Sequence, residues 1–434
     1  MRLLWALSWA AALAAQPVPL SLERAVQSAL SPEGNARVRL SAEALKQAEA
    51  RSGQAKAALL PDISGVFTEQ DATRNLEALG LGLRSPIPGF QFPTFVGPFS
   101  SVDARVSASQ SVFDFSSIRR YQASKVGVNA AKADVEGSAE QVAAQVARAY
   151  LAAVRADADV EAAQANIALS EAVLKQAEGQ KTAGTGTGIE ITRARVLLAN
   201  DRQRLLVAQN ARRAAGLQLL RGIGLPLDTE VQLTDRLQYV ALDGVTLEQA
   251  RAQALKARPD LEAQEQREET ARLSASASKM ERLPTVATFG DYGVSGTGLD
   301  HALPTRTVGI SLRVPIFDGG RRDARRAETA SQYRAEKVKT GDLKQQIELD
   351  VRLALDALSS AEQQVKVARE GLELAENELA QARRRYDAGV SIGLEVTDAQ
   401  SRLVRARDNQ ITAVYNYTVG KIDLAQAMGE VRKR

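Results

Sequence analysis

The chain has 434 residues, of which 44% are hydrophobic but only 4% aromatic, a composition typical of long helices with small-residue contacts. Its 56 basic and 52 acidic side chains nearly balance, at a net charge of +4, and no block of Lys and Arg favours a nucleic-acid partner. Cysteine is absent, which excludes disulfides, thiolate metal ligands and thiol catalysis.

The N-terminus, residues 1–14, is typical of a secretory signal peptide. Arg2 precedes an apolar run that begins at Leu3, and Ala12-Leu13-Ala14 forms a small-x-small cleavage sequence. No later stretch has the roughly 18 consecutive apolar residues of a membrane helix. An exported chain of this kind would be periplasmic, secreted or inserted as a β-barrel.

Alternation of apolar and polar residues predicts two pairs of strands, one in each half of the chain. Each strand has about the ten residues that a tilted strand needs to cross a bilayer. The first pair encloses a loop rich in Pro, Gly and Phe, from Ser85 to Phe99, which we expect outside the membrane. The predicted strands are residues 62–70, 102–114, 285–295 and 305–317.

Two very long helices are predicted at about residues 116–181 and 320–387. Between Val135 and Ala177 the apolar or small residues are separated by gaps of four and three. This 3.5-residue period indicates a left-handed coiled coil, and the many Ala side chains allow close approach of the helices. At 1.5 Å per residue each helix would be about 100 Å long.

Each long helix ends in a Gly-rich turn, at residues 183–188 and 388–393, and a second helix follows. The first turn has the glycines of a phosphate-binding loop. It lacks the Lys-Ser/Thr pair and the preceding strand of such loops, so we interpret it as a turn between helices.

The two halves of the chain are copies of one unit. The sequence AGTGTGIEIT from Ala183 recurs as AGVSIGLEVT from Ala388, and SVFD before the first long helix recurs as PIFD before the second. The matched offsets predict a first repeat over residues 15–235 and a second over 236–434.

Four strands cannot close into a barrel alone, because the unpaired edge groups would each cost several kcal/mol in lipid. The chain is therefore expected to oligomerise. Three copies would supply twelve strands, an even number that can enclose a water-filled lumen, although the sequence fixes neither three copies nor closure.

The export signal, the duplicated strand-and-coiled-coil unit, the Phe-Asp before each long helix and the Gly turn followed by Glu-Ile/Val-Thr resemble the outer membrane efflux protein family. The resemblance covers essentially the whole mature chain. It implies an α + β membrane protein: a homotrimer with a twelve-stranded outer membrane β-barrel, continued by a periplasmic α-helical barrel. It also implies an exit duct of a tripartite efflux or type I secretion system, which works with a periplasmic adaptor protein and an inner membrane transporter and needs no cofactor.

The same resemblance implies roles for residues near the turns. It places Glu395 and Asp398 at acidic positions that ring the periplasmic entrance. Tyr386 matches a tyrosine that latches to a neighbouring hairpin, and Glu190 matches its acidic partner, whereas Ser391 stands where the family has a gating Arg. A simpler interpretation of the acids is placement at helix N-termini, worth about 0.3–1 kcal/mol. The expected adaptor contacts are the two tips, Ala183-Gly184 and Ala388-Gly389.

Two other classes of function remain open from the sequence. An enzyme is disfavoured, because the only histidine, His301, lies in an expected loop and the carboxylates are interleaved with Arg and Lys, as on solvated coiled-coil surfaces. A periplasmic or secreted coiled-coil scaffold would explain the heptads equally well. It would not explain why strand pairs with an apolar face recur at matched positions.

Overall fold

The computed structural model describes residues 18–78, 80, 94–242 and 244–433. The expected signal peptide and residues 85–93 of the expected loop lie outside the described residues. The strands are β1 (Val18–Leu20), β2 (Asp62–Asn75), β3 (Phe95–Phe113), β4 (Val231–Leu233), β5 (Thr285–Gly296) and β6 (Leu303–Arg313). The α-helices are α1 (Leu22–Leu30), α2 (Ala36–Ala57), α3 (Phe115–Thr182), α4 (Gly188–Ile223), α5 (Leu247–Ala257), α6 (Pro259–Met280), α7 (Arg321–Asp387) and α8 (Gly393–Met428).

The chain divides into two compact units. Unit 1 comprises the described residues up to 44, residues 132–263 and the residues from 341 onward. Unit 2 comprises residues 45–131 and 264–340. The helices α3 and α7, of 68 and 67 residues, contribute to both units.

Unit 2 contains an antiparallel sheet with the strand order β2-β3-β5-β6. Because side chains alternate between the two faces of a strand, the register places Phe67, Val106, Val308 and Ile310 on one face. These apolar side chains are exposed, Val308 at 86% and Ile310 at 74%. The sheet therefore presents an uncovered apolar face, and β2 and β6 are its edges.

The ends of the strands differ from the sequence prediction. The strands β2 and β3 pair with each other as far as Asn75 and Phe95, so Phe95 to Phe99 belong to a strand and not to the expected loop. The predicted strand 305–317 ends at Arg313, which pairs with Thr285, the first residue of β5. Beyond that point β5 offers no partner, and Pro315 has no N–H group to donate.

Unit 1 is built from small and branched apolar side chains of the long helices. In one cluster, Val142, Val146 and Tyr150 of α3 pack against Leu219 and Ile223 of α4. The short strands β1 and β4 pair in parallel beside this cluster.

A second cluster lies nearer the turns and includes residues of all four long helices of unit 1. Its buried members are Val173, Ala194, Ala375, Leu379, Ala382, Tyr386, Val396, Ala399 and Leu403.

Within the ranges described, no helix is both long and apolar enough to cross a membrane.

Candidate functional site at the hairpin tips

The two turns between long helices share one backbone geometry. Gly184 and Gly389 follow the ends of α3 and α7 with φ angles of +76° and +73°, the left-handed conformation that favours glycine after a helix. The N–H groups of Thr185 and Val390 donate back to the last helical turn at 3.0 Å. A Cβ at either glycine would meet no atom within 4 Å, so conformation and not space calls for glycine.

The tips are open to solvent. The residues expected to contact the adaptor, Ala183-Gly184 and Ala388-Gly389, are all exposed. Apolar side chains that are more than half exposed flank them. These are Ile189, Val390 and Ile392.

Glu190 joins the first turns of two helices. Its Oε2 accepts a hydrogen bond from the N–H of Thr187 at 2.9 Å, and its Oε1 accepts one from the N–H of Gly393 at 3.3 Å. These bonds, with the Thr187 bond the larger contribution, lower the pKa of the Glu190 carboxyl. One carboxylate therefore caps α4 and also holds the start of α8.

Tyr386 is buried beside Glu190 in the same chain. Only 5% of Tyr386 is exposed, and a Cβ built on Gly393 would lie 3.5 Å from its hydroxyl and 3.3 Å from Glu190 Oε1. Burial first, and then the charge of Glu190, raise the pKa of Tyr386. Tyr386 and Glu190 thus both lie against Gly393, where the two hairpins adjoin.

The two acids expected in the entrance ring have different surroundings. Glu395 Oε1 lies 3.3 Å from Arg385 Nε, and the two side chains are 42% and 59% exposed. Asp398 is exposed, and no described residue forms an ion pair with it. The hydroxyl of Ser391 is buried and lacks a hydrogen-bond partner among the described residues, so the serine does not take over the bonds of an arginine.

A buried polar cluster near the tips escaped the sequence analysis. The Ser170 hydroxyl donates to Asp201 Oδ2 and accepts from Gln400 Nε2 at 2.6 Å, and all three side chains are at most 1% exposed. The cluster connects α3, α4 and α8. The sequence signal is Ser170 at a heptad position of α3, where a side chain is expected to be buried. A buried polar side chain requires a hydrogen-bond partner, which indicates a polar residue on a facing helix.

Among the residues that the structure describes, no three His, Asp or Glu side chains are grouped as a metal site.

Comparison with known proteins identifies the family. The model of the family described as outer membrane efflux protein matches residues 27–225 and 250–430. The pyoverdine export outer membrane protein OpmQ of Pseudomonas putida is 26% identical over 402 residues, 89% of this chain and 81% of that protein. The alkaline protease secretion protein AprF of Pseudomonas aeruginosa is 24% identical over 327 residues, 74% of this chain and 68% of that protein.

Solved structures share the fold. The CmeC outer membrane channel of Campylobacter jejuni superposes with a TM-score of 0.82 at 18% identity, over 94% of this chain and 85% of that one. The outer membrane protein VceC of Vibrio cholerae superposes with a TM-score of 0.80 at 18% identity, over 94% and 96%.

OpmQ is an outer membrane export protein and AprF is a protease secretion protein, and both favour the exit duct over the coiled-coil scaffold. Because the family model matches most of its length, the chain belongs to the outer membrane efflux protein family, a family of transport channels, and is an outer membrane protein of efflux or secretion.

Proposed function

We propose that three copies of the chain form a duct that conducts its cargo passively from the periplasm to the exterior. The observation that carries this proposal is the sheet of unit 2, which has an exposed apolar face and two edges, β2 and β6, that pair on one side only. In lipid each unpaired backbone group costs several kcal/mol. Three sheets joined edge to edge would form a closed barrel of twelve strands around a water-filled lumen.

The exposed faces of the long helices favour assembly into a periplasmic α-helical barrel. Leu353, Val367 and Leu374 of α7 are exposed and separated by multiples of seven residues, and Val196 and Leu217 of α4 show the same spacing. Such seams are what a coiled-coil partner covers. Hairpins of neighbouring copies would cover them in a trimer. The proposal includes a signal peptide at residues 1–14 that directs export. It also includes two structural repeats, over residues 15–235 and 236–434.

The hairpin tips would form the periplasmic gate. Three copies of Asp398 around a narrow axis make a negative ring that favours cations, and Glu395 adds less because Arg385 lies beside it. Tyr386 and Glu190 would hold the hairpins in the closed arrangement. The exposed tips, Ala183-Gly184 and Ala388-Gly389, suit contact with a periplasmic adaptor that is itself bound to an inner membrane transporter.

Single-channel recordings of the purified protein in planar bilayers test this proposal. We expect a cation-selective channel whose selectivity falls in Asp398→Asn and falls less in Glu395→Gln. Glu373→Gln, which removes an exposed acid of α7, is the matched control and should conduct as the wild type does. Unchanged selectivity in both tip variants would refute the assignment of an acidic ring. A wild type that is monomeric in detergent and does not conduct would refute the duct.

A further inference from the structure

Three charged side chains meet within the sheet of unit 2. Arg105 of β3 donates to both carboxylate oxygens of Asp103, with Nε 2.5 Å from Oδ1. Its Nη1 lies 3.4 Å from Oδ1 of Asp291 on the adjacent strand β5. The side chains are 35%, 31% and 18% exposed, in the order Arg105, Asp103, Asp291. The guanidinium therefore holds two carboxylates in fixed positions on neighbouring strands.

Gly293 provides the space for this arrangement. It stands directly opposite Arg105 in the pairing of β3 with β5. A Cβ on Gly293 would lie 2.5 Å from the Cβ of Arg105 and 2.3 Å from the carbonyl oxygen of Ala104. A side chain at this position would collide with the arginine where it crosses from one strand to the next.

The charged cluster of Asp103, Arg105 and Asp291 lies on the face opposite to the apolar one. Alternation along β3 separates Arg105 from Val106, and the register places Thr305 and Thr307 of β6 beside the cluster. Charges in the middle of a membrane strand are costly on the lipid side, by about 2–4 kcal/mol for Arg. The opposite face carries one arginine, Arg306, beside Val308 and Ile310. The face of the cluster is therefore the more polar of the two and the one suited to water, which in a closed barrel means the lumen.

We infer that Asp103 and Asp291, positioned by Arg105, form a cation-selective site in the lumen of the barrel, separate from the acids at the hairpin tips. The inference rests on the proposed duct. Two carboxylates and one guanidinium give each cluster one net negative charge, and three copies surround the lumen. The site attracts inorganic cations and protonated amines and slows anions. Since the Debye length is about 10 Å at 0.1 M salt and about 3 Å at 1 M, its effect is strongest at low salt.

Reversal potentials across a KCl gradient test the charge of the site. At about 0.1 M salt, the double variant Asp103→Asn/Asp291→Asn should lower the K⁺/Cl⁻ permeability ratio about twofold or more. Arg105→Gln should raise the ratio, because it leaves both carboxylates without their counter-charge. Arg105→Lys, which keeps the charge, is the matched control. These opposite changes should shrink at 1 M KCl, whereas ratios equal to the wild type in the Asp and Gln variants would overturn the inference.

Labelling with a sulfonate-bearing thiol reagent tests the location, since the chain has no cysteine of its own. Ser107→Cys lies on the face of the cluster and Val106→Cys on the apolar face. Modification should change the current through Ser107→Cys channels only. This measurement tests whether the cluster faces the lumen even if the Asp variants fail to assemble. Conducting channels whose Ser107→Cys is not modified would reject the luminal site and leave the duct standing, whereas a wild type that does not conduct would reject the duct itself.

Discussion

The carboxylate of Glu190 binds the N-termini of two helices of the same chain, α4 and α8. Its bonds to the N–H groups of Thr187 and Gly393 also satisfy donors that a helix N-terminus leaves unpaired. The interpretation of this acid as a helix cap and its interpretation as part of a gate are thus compatible, because the second helix belongs to the other hairpin. Separating the hairpins would break the bond to Gly393.

Replacing Glu190 by Gln should loosen the start of α8. Loss of a charged acceptor should cost about 1 kcal/mol, seen as faster amide exchange at Gly393. The pKa of Glu190 is lowered from its ordinary 4.5, so its stabilisation is complete above that value and disappears as the pH falls through the lower folded pKa. The wild type should therefore lose protection on acidification, and Glu190→Gln should lack this step. Glu178→Gln, which removes an exposed acid, is the control, and an unchanged acid step in Glu190→Gln would contradict the assignment.

Tyr150 is the corresponding polar anchor in the core of unit 1. The side chain is fully buried, and its hydroxyl lies 2.7 Å from Asp235 Oδ2 and 2.9 Å from the carbonyl oxygen of Leu20. Burial first, and then Asp235, raise the pKa of Tyr150 to about 12. The hydroxyl therefore keeps its proton at ordinary pH and donates it to one of these oxygens.

Tyr150→Phe should destabilise the protein by about 1 kcal/mol, because it removes the hydrogen bond of a fully buried side chain. Both acceptors keep another donor, the N–H of Leu22 at Asp235 Oδ2 and the N–H of Thr234 at the Leu20 carbonyl oxygen. Thermal unfolding in detergent should show a lower midpoint. Tyr292→Phe, at a 66% exposed tyrosine, should leave the midpoint unchanged. Equal midpoints for wild type and Tyr150→Phe would mean that the hydroxyl bond adds nothing to stability.

The ion pairs nearest the tip of each helical hairpin follow a simple rule, which the more distant pair of Asp157 with Arg212 does not obey. Glu178 and Arg195 lie at equal sequence distances from the centre of the first turn, as do Glu171 and Arg202. In the second hairpin the same holds about Val390. The pairs there are Arg385 with Glu395 and Glu378 with Arg402.

The hairpin rule shows what could be predicted from the sequence and what could not. Periodicity extends over many residues, so the long helices and the strand pairs are readable from one chain. The helix that carries Glu395 does not by itself reveal the partner Arg385, which lies across the hairpin at the same distance from Val390. The sequence signal for this pair is opposite charges at equal distances from the centre of the turn.

Strand ends and cross-strand clusters depend on how two strands pair, and the sequence of one strand does not specify its register with another. The end of β6 at Arg313 is set by where β5 begins. The contact of Arg105 with Asp291 likewise requires the pairing of β3 with β5 and the small Gly293 between them. Neither spacing nor composition specifies these relations, since the residues are distant in sequence.

Substitutions of a turn glycine and of a helix glycine should act in opposite directions. Gly184→Ala places a Cβ on a residue with positive φ and should cost about 1–2 kcal/mol. Gly179→Ala, five residues earlier inside α3, meets no atom within 4 Å and should stabilise by about 0.5–1 kcal/mol. Denaturation midpoints of the two variants should therefore lie on opposite sides of the wild type. Shifts in the same direction would show that the turn tolerates other conformations.

A single chain leaves contacts incomplete in both of its units. The sheet has two edges and an exposed apolar face, and α4 and α7 expose apolar residues at coiled-coil spacing. A monomer with these surfaces would aggregate in water and leave backbone groups unpaired in lipid. A closed assembly of several copies would remove both kinds of incomplete contact, by pairing β6 with the β2 of the next copy in unit 2 and by covering the exposed helix seams of unit 1.

Adjacent residues of β6 provide a test of this assembly. Ile310 is on the apolar face and Ser311 on the polar face, so only the first should meet lipid in a closed barrel. An arginine on the lipid face costs about 2–4 kcal/mol per copy near the bilayer centre, and every copy of a trimer would carry it. Ile310→Arg should therefore sharply reduce trimer in outer membrane extracts, whereas Ser311→Arg should assemble and shift ion selectivity toward anions. Equal losses for the two variants would mean that β6 does not separate lipid from lumen, and the barrel would then need another arrangement of its strands.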